Sequence, residues 1–238
     1  MDLIKSYGKY IKKSVDNPSK AFNLLKFGFS FEKFLVSKFR DKKIPPSLNY
    51  LNQLCVDFIL NPLKNPDNSA FVTIFSPVEI FYAMGINPFL IEGFSSFLSG
   101  TQCEDVFIDC AERSGISDTL CSYHKAFIGA VEEEVIPKPR FSLTSSMICD
   151  GNLNTIRFVS HKYNIPYYYL DIPYEYNEDT EAYVVGQLHE IVEFIQDIMK
   201  LKFDEDKFKE VIKIENSTKV YMRKFYERLK YKYFPNTL

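Results

Sequence analysis

Apolar residues recur at helical spacing through three early stretches, 3–15, 18–39 and 46–60, and Pro45-Pro46 separates the last two. The pattern changes near Asn65-Pro66-Asp67-Asn68, where short apolar runs begin to alternate with amphipathic ones. Residues 70–75, 88–91, 140–144 and 166–170 read as strands, and 77–84, 104–113, 125–134 and 152–163 as helices. Such alternation predicts an α/β domain with a parallel sheet between helices, Rossmann-like or flavodoxin-like. From 181 to 233 the pattern is helical again, with an interruption at Lys202-Phe203-Asp204. The expected layout is a helical N-terminal region over 1–65, a Rossmann-like domain over 66–200 and a C-terminal helical segment over 201–238. There is no internal repeat.

Composition narrows the partners. A chain of 238 residues, 46% apolar and 25% charged, can bury one good core with a helical appendage. A net charge of −2 gives no basic excess for phosphate contacts, so no nucleic-acid partner is expected. No apolar run reaches the roughly 18 residues that span a bilayer, and Met1-Asp2-Leu3-Ile4-Lys5-Ser6 lacks the features of a signal peptide. The expectation is a cytoplasmic protein without a membrane partner. The 22 Phe and 16 Tyr, with no Trp, fit an AT-rich coding bias better than a stacking platform.

Five cysteines, an odd number in such a chain, read as ligands, reactive thiols or core filler before disulfides. Cys121 and Cys149 each fall where an apolar run meets a helix start, followed at once by a capping residue, Ser122 or Asp150. The positive end of a helix favours a thiolate, which is the form that binds metal or attacks carbon. Their spacing matches no zinc or ferredoxin pattern, and no Cys-x-x-Cys occurs. Cys55 lies among Leu51, Leu54 and Phe58 and reads as core, as do Cys103 and Cys110. His124, His161 and His189 are dispersed, and only His124 is close in sequence to a candidate thiol.

Ligands of such sheets sit at the carboxyl ends of strands. Three segments fall there: 75–79, 145–150 and Asp171-Ile172-Pro173. Within the first, Ser76, Pro77 and Glu79 have the spacing of a capping box, which by itself accounts for Glu79. Asp171 reads as a turn residue.

Four segments in order resemble those of the 2-hydroxyacyl-CoA dehydratase family, which includes benzoyl-CoA reductase subunits. Phe75-Ser-Pro-Val-Glu79 through Gly85 to Pro88 resembles its Pro-x-Glu segment, and Leu120-Cys-Ser-Tyr with Lys125 and Gly129 its Cys-Ser segment. Ser146-Met-Ile-Cys-Asp150 resembles its Cys-Asp segment, and 165–173 the strand ending in Asp-x-Pro. The resemblance covers about residues 70–195. It implies a 4Fe-4S cluster held by three cysteines per subunit, of which Cys121 and Cys149 match, with Glu79 a candidate active-site carboxylate. It implies a radical elimination of water from an acyl-CoA substrate. One electron from an ATP-dependent activator iron–sulfur protein converts the thioester to a ketyl that expels the 2-hydroxyl. The other implied partner is a second dehydratase subunit, homologous or identical. Family subunits continue through a helical linker into a second Rossmann-like domain with the third cysteine, and this chain ends at 234–238, inside that linker. A non-catalytic relative, serving electron transfer, cluster carriage or protein interaction, is the alternative reading, as is a reductase-type subunit.

Overall fold

Four short strands pair in parallel in the order β2-β1-β3-β4: β1 (Ser69–Val72), β2 (Asn87–Leu90), β3 (Phe141–Ser145) and β4 (Tyr167–Leu170). The computed structural model describes residues 3–39 and 42–231. Residues 232 and 233 of the expected last helix, and the chain end at 234–238, lie outside the described residues. Every residue of β1 and β3 is buried, because helices cover both faces of the sheet, which is why these strands read as continuous apolar runs. The expected α/β, Rossmann-like architecture is present.

One face is packed by α5 (Ile91–Gly100), α6 (Glu104–Arg113), α7 (Ser122–Glu132) and α8 (Asp150–Tyr163). Phe71 of β1 and Phe127 of α7 meet edge to face at 5.1 Å between ring centres. Phe89 and Phe94 complete an aromatic knot, and both approach Phe127 to 6.1 Å. Edge-to-face pairs place positive ring edges on negative faces, adding about 0.5–1.5 kcal/mol each beyond burial. The N-terminal helices α1 (Leu3–Lys12), α2 (Pro18–Lys38) and α3 (Pro46–Lys64) join this same core through Ile11, Leu25, Phe29, Leu60 and Leu63. The start of α2 is fixed by Asn17, whose side chain accepts from the Lys20 N–H, and by Pro18 in the first turn.

The other face is packed by α4 (Val78–Met84), α9 (Thr180–Met199) and α10 (Glu205–Arg228). Ile80, Phe81, Ile191 and Ile195 cover Ala70, Val72, Phe141 and Leu143 there. The break expected near 202 falls at Lys200–Asp204, where Lys200 adopts φ 55° and Asp204 caps α10.

Two expectations are corrected. Cys55 is exposed, not core, because α3 turns Ile59, Leu60 and Leu63 inward instead. Helix α5, absent from the sequence reading, follows β2 without any intervening loop. No helix among the described residues is long and apolar enough to cross a membrane.

Candidate functional site

The helix after β1 packs on one face of the sheet and the helix after β3 on the other, so the chain diverges between these adjacent strands. Their carboxyl ends form the topological switch point, the place where such sheets bind ligands. Hydroxyls tie it together. Thr73 Oγ1 and Thr144 Oγ1 lie 2.9 Å apart, and Ser145 Oγ donates to the Phe75 carbonyl at 2.9 Å. Ser76 Oγ donates to the Leu143 carbonyl at 2.9 Å and accepts from the Thr73 N–H at 3.1 Å. The expected capping box is therefore absent: Ser76 turns into the sheet, and α4 starts at Val78 with Pro77 as an uncapped N-cap.

Cys149 lies four residues beyond the end of β3. Its N–H bonds the Met147 carbonyl at 2.8 Å, and the intervening Ile148 has φ 68°. This is the rare left-handed γ-turn, forced on a β-branched residue, and such conformations cost about 1–3 kcal/mol. Cys149 is itself the N-cap of α8, and Cys121 is the N-cap of α7. Asp150 and Ser122 are thus the first helical residues, not the caps, and no side chain caps either helix among the described residues. Both thiols stand beside N–H groups that no side chain caps among the described residues, at the start of neighbouring helices on the same face of the sheet.

His124, one turn into α7 from Cys121, links the two helices. It is 3% exposed, and its Nε2 lies 3.8 Å from Cys149 Sγ, within hydrogen-bonding range for sulfur. Its Nδ1 is buried with no partner among the described residues. Burial holds the imidazole below the usual histidine pKa, which favours the neutral ring. Gly151 makes the contact possible, since a Cβ there would lie 3.0 Å from the ring and 3.2 Å from Cys149 Sγ.

Behind Cys121, Lys125 is buried and donates to Glu112 Oε1 at 2.6 Å and to the Asp118 carbonyl at 2.8 Å, anchoring the preceding loop to α6. Gly129 sets the distance between α6 and α7, because a Cβ at this position would sit 1.8 Å from the Phe107 carbonyl oxygen. Those packing roles supply physical reasons for the Lys and Gly of the Cys-Ser segment.

Glu92 lies outside every segment that the sequence pattern marks. Its Oε1 accepts from the Ile74 N–H at 3.2 Å, just beyond β1, while Oε2 is buried without a partner among the described residues. Burial raises its pKa above the usual carboxyl value. One turn later Ser95 Oγ donates to the Tyr123 carbonyl at 2.7 Å, joining α5 to the start of α7. Glu92 follows β2 by two residues, so the carboxyl-end rule would find it once the helix after that strand is recognised.

Glu79 lies near the start of α4, on the opposite face of the sheet from α7 and α8. It faces a cavity of about 420 Å³ shared with Val185, His189, Phe203, Glu205 and Ile212. Burial, and to a smaller extent the Glu79 carboxylate, raise the pKa of Tyr82. Asp171 is more than a turn residue: Gln187 bonds both its backbone N–H and its carbonyl at 2.8 Å, and Tyr183 donates to its carboxylate at 3.0 Å. Cys103 and Cys110 are buried as expected, and burial pushes both thiols up to about 11.

No group of three or more His, Cys, Asp and Glu side chains converges into a metal site among the described residues. Cys121 and Cys149 supply two thiols, fewer than the usual ligand set of an iron–sulfur cluster.

Comparison with known proteins agrees with the motifs. A family described as 2-hydroxyglutaryl-CoA dehydratase, D-component, matches residues 73–238. The (R)-phenyllactyl-CoA dehydratase alpha subunit of Clostridium sporogenes is 27% identical over 157 residues, covering 62% of this chain and 39% of that protein. A benzoyl-CoA reductase subunit of Thauera aromatica is 31% identical over 46% of this chain and 28% of its own length. The (R)-2-hydroxyglutaryl-CoA dehydratase alpha subunit of Acidaminococcus fermentans is 31% identical over 42% and 22%, respectively. The chain thus spans less than half the length of these relatives. All four motif segments fall within the matched stretch; the chain belongs to the 2-hydroxyglutaryl-CoA dehydratase D-component family.

Proposed function

We propose that this chain forms the cluster-binding part of a 2-hydroxyacyl-CoA dehydratase-like enzyme, with Cys121 and Cys149 as two thiolate ligands of a 4Fe-4S cluster. The observation that carries this reading is the position of both thiols at the N-caps of neighbouring helices, linked by His124. When bound, the cluster supplies single-electron chemistry to a thioester whose β-proton is otherwise too weakly acidic to remove. The chain's own contribution is to hold the two sulfurs at the starts of neighbouring helices, with helix N–H groups beside them offsetting negative charge. Glu79 is the candidate carboxylate for the substrate side, reached from the cavity at the start of α4. The remaining ligand and the rest of the acyl-CoA pocket come from a further domain or subunit, and the electron from an ATP-dependent activator. The benzoyl-CoA reductase relative supports a second reading, reduction of an acyl-CoA, which product analysis separates from loss of water.

Anaerobic reconstitution with iron and sulfide tests the ligand assignment. The isolated chain should bind iron weakly and bleach in air, and production with a homologous second subunit should give a brown protein. Cys121→Ala and Cys149→Ala should each abolish the visible absorption, while exposed Cys55→Ala should leave it intact. A cluster that survives replacement of both Cys121 and Cys149 would falsify the assignment.

A further inference from the structure

The two thiols are not equivalent. Cys121 is exposed to water, whereas Cys149 is half-buried against a histidine that packing has removed from solvent. We infer that His124 is a positioning residue for Cys149, donating an Nε2–H···Sγ hydrogen bond that fixes this sulfur, whereas Cys121 has no such partner among the described residues. Three observations point there. Nε2 lies 3.8 Å from Sγ. Nδ1 has no partner among the described residues to compete for the ring's single proton, so Nε2 is the nitrogen with a use for it. Gly151 clears the space in which ring and sulfur meet. A donor at a ligand sulfur withdraws charge from it, and hydrogen bonds to sulfur raise the reduction potential of a metal centre. This last consequence rests on the iron–sulfur reading; the hydrogen bond itself does not.

The metal-free chain provides the first test. Iodoacetamide alkylation at fixed neutral pH, with each cysteine quantified by peptide mass, reports Cys149 against Cys121 as an internal reference. In His124→Phe the Cys149 rate should change several-fold, the expected scale for loss of a hydrogen bond, while Cys121 stays nearly unchanged. His124→Gln, which retains an N–H donor, should restore much of the wild-type rate. An unchanged Cys149 rate, or equal changes at both cysteines, would overturn the inference, because a purely structural role moves both. If His124→Phe does not fold, Gly151→Ala takes its place: the added methyl separates ring from sulfur with the histidine intact, so an unchanged Cys149 rate there is equally fatal. In reconstituted protein the reduction potential should fall in His124→Phe and return in His124→Gln. If no cluster forms even in the wild type, the iron–sulfur reading fails, and the alkylation result still decides the role of His124.

Discussion

Cys121 and Cys149 occupy the same position, the N-cap of adjacent helices, and are placed there by opposite means. Cys121 is set from behind: Gly129 lets α7 lie against the α6 backbone, and Lys125 secures the approaching loop to Glu112 and Asp118. The thiol itself stays exposed. Cys149 is set from in front, by the left-handed turn at Ile148 and by the ring of His124. One candidate ligand thus depends on the global packing of the domain and the other on local strain. Damage to the first should cost the fold, whereas damage to the second should change the site and spare the fold.

The largest expected effect tests the Cys121 side. Gly129→Ala places a methyl 1.8 Å from a backbone oxygen that cannot rotate away, so α7 must leave α6. Denaturant unfolding should show a loss of about 3 kcal/mol or more, or no folded protein at all. A well-folded variant with native stability would mean that α6 and α7 are not in such close contact.

An intermediate effect of opposite sign is expected on the Cys149 side. Ile148 is 80% exposed, so its side chain contributes little packing to set against its backbone conformation. Ile148→Gly, which reaches positive φ without a Cβ clash, should raise stability by about 0.5–1 kcal/mol. Loss of stability would show that the turn is not strained and that the contrast between the two cysteines is misdrawn.

The smallest effect is a pH dependence at Glu92, which supports α5 and through Ser95 the start of α7. Its pKa is raised in the folded state by burial. Its contribution to stability is therefore fully present below the ordinary glutamate value and is lost as pH rises through the raised folded value. Glu92→Gln keeps an acceptor for the Ile74 N–H and removes that loss. Melting temperature should rise slightly over wild type at neutral pH, and the gap should close near about pH 4. A gap that widens on acidification would contradict the assigned environment.

The sheet was legible because its strands are apolar runs between amphipathic helices, and all four fall within a few residues of their expected bounds. Helix α5 was hidden because Leu90 ends β2 and caps α5 at once, leaving no turn residue to mark the boundary. Cys55 was misread because Leu51 and Leu54 give α3 apolar residues on more than one side, and only tertiary packing selects which side is buried. At the site, the cysteines announced themselves as helix starts, but Ser76 resembled a cap only while the Leu143 carbonyl it bonds was out of view. The His124–Cys149 contact joins residues 25 apart in sequence and could not be read from local pattern. The resemblance identified the segments; the structure explains the glycine and lysine within them.

The pairing of β1 with β3 has a consequence for the order of folding. Thr73 and Thr144, bonded across those strands, are 71 positions apart, with β2 and four helices between them. Closing a loop of that length costs about 4 kcal/mol of chain entropy before any contact repays it. Long-range parallel pairing of this kind is slow compared with helix formation. Helix α7 with Cys121 is complete in the chain before β3 begins, while Cys149 reaches the carboxyl edge of the sheet only when β3 docks. The two helix starts therefore come side by side late, after the sheet has closed. On the cluster reading proposed above, iron arriving before that moment would find one thiol, and only the finished domain would offer two.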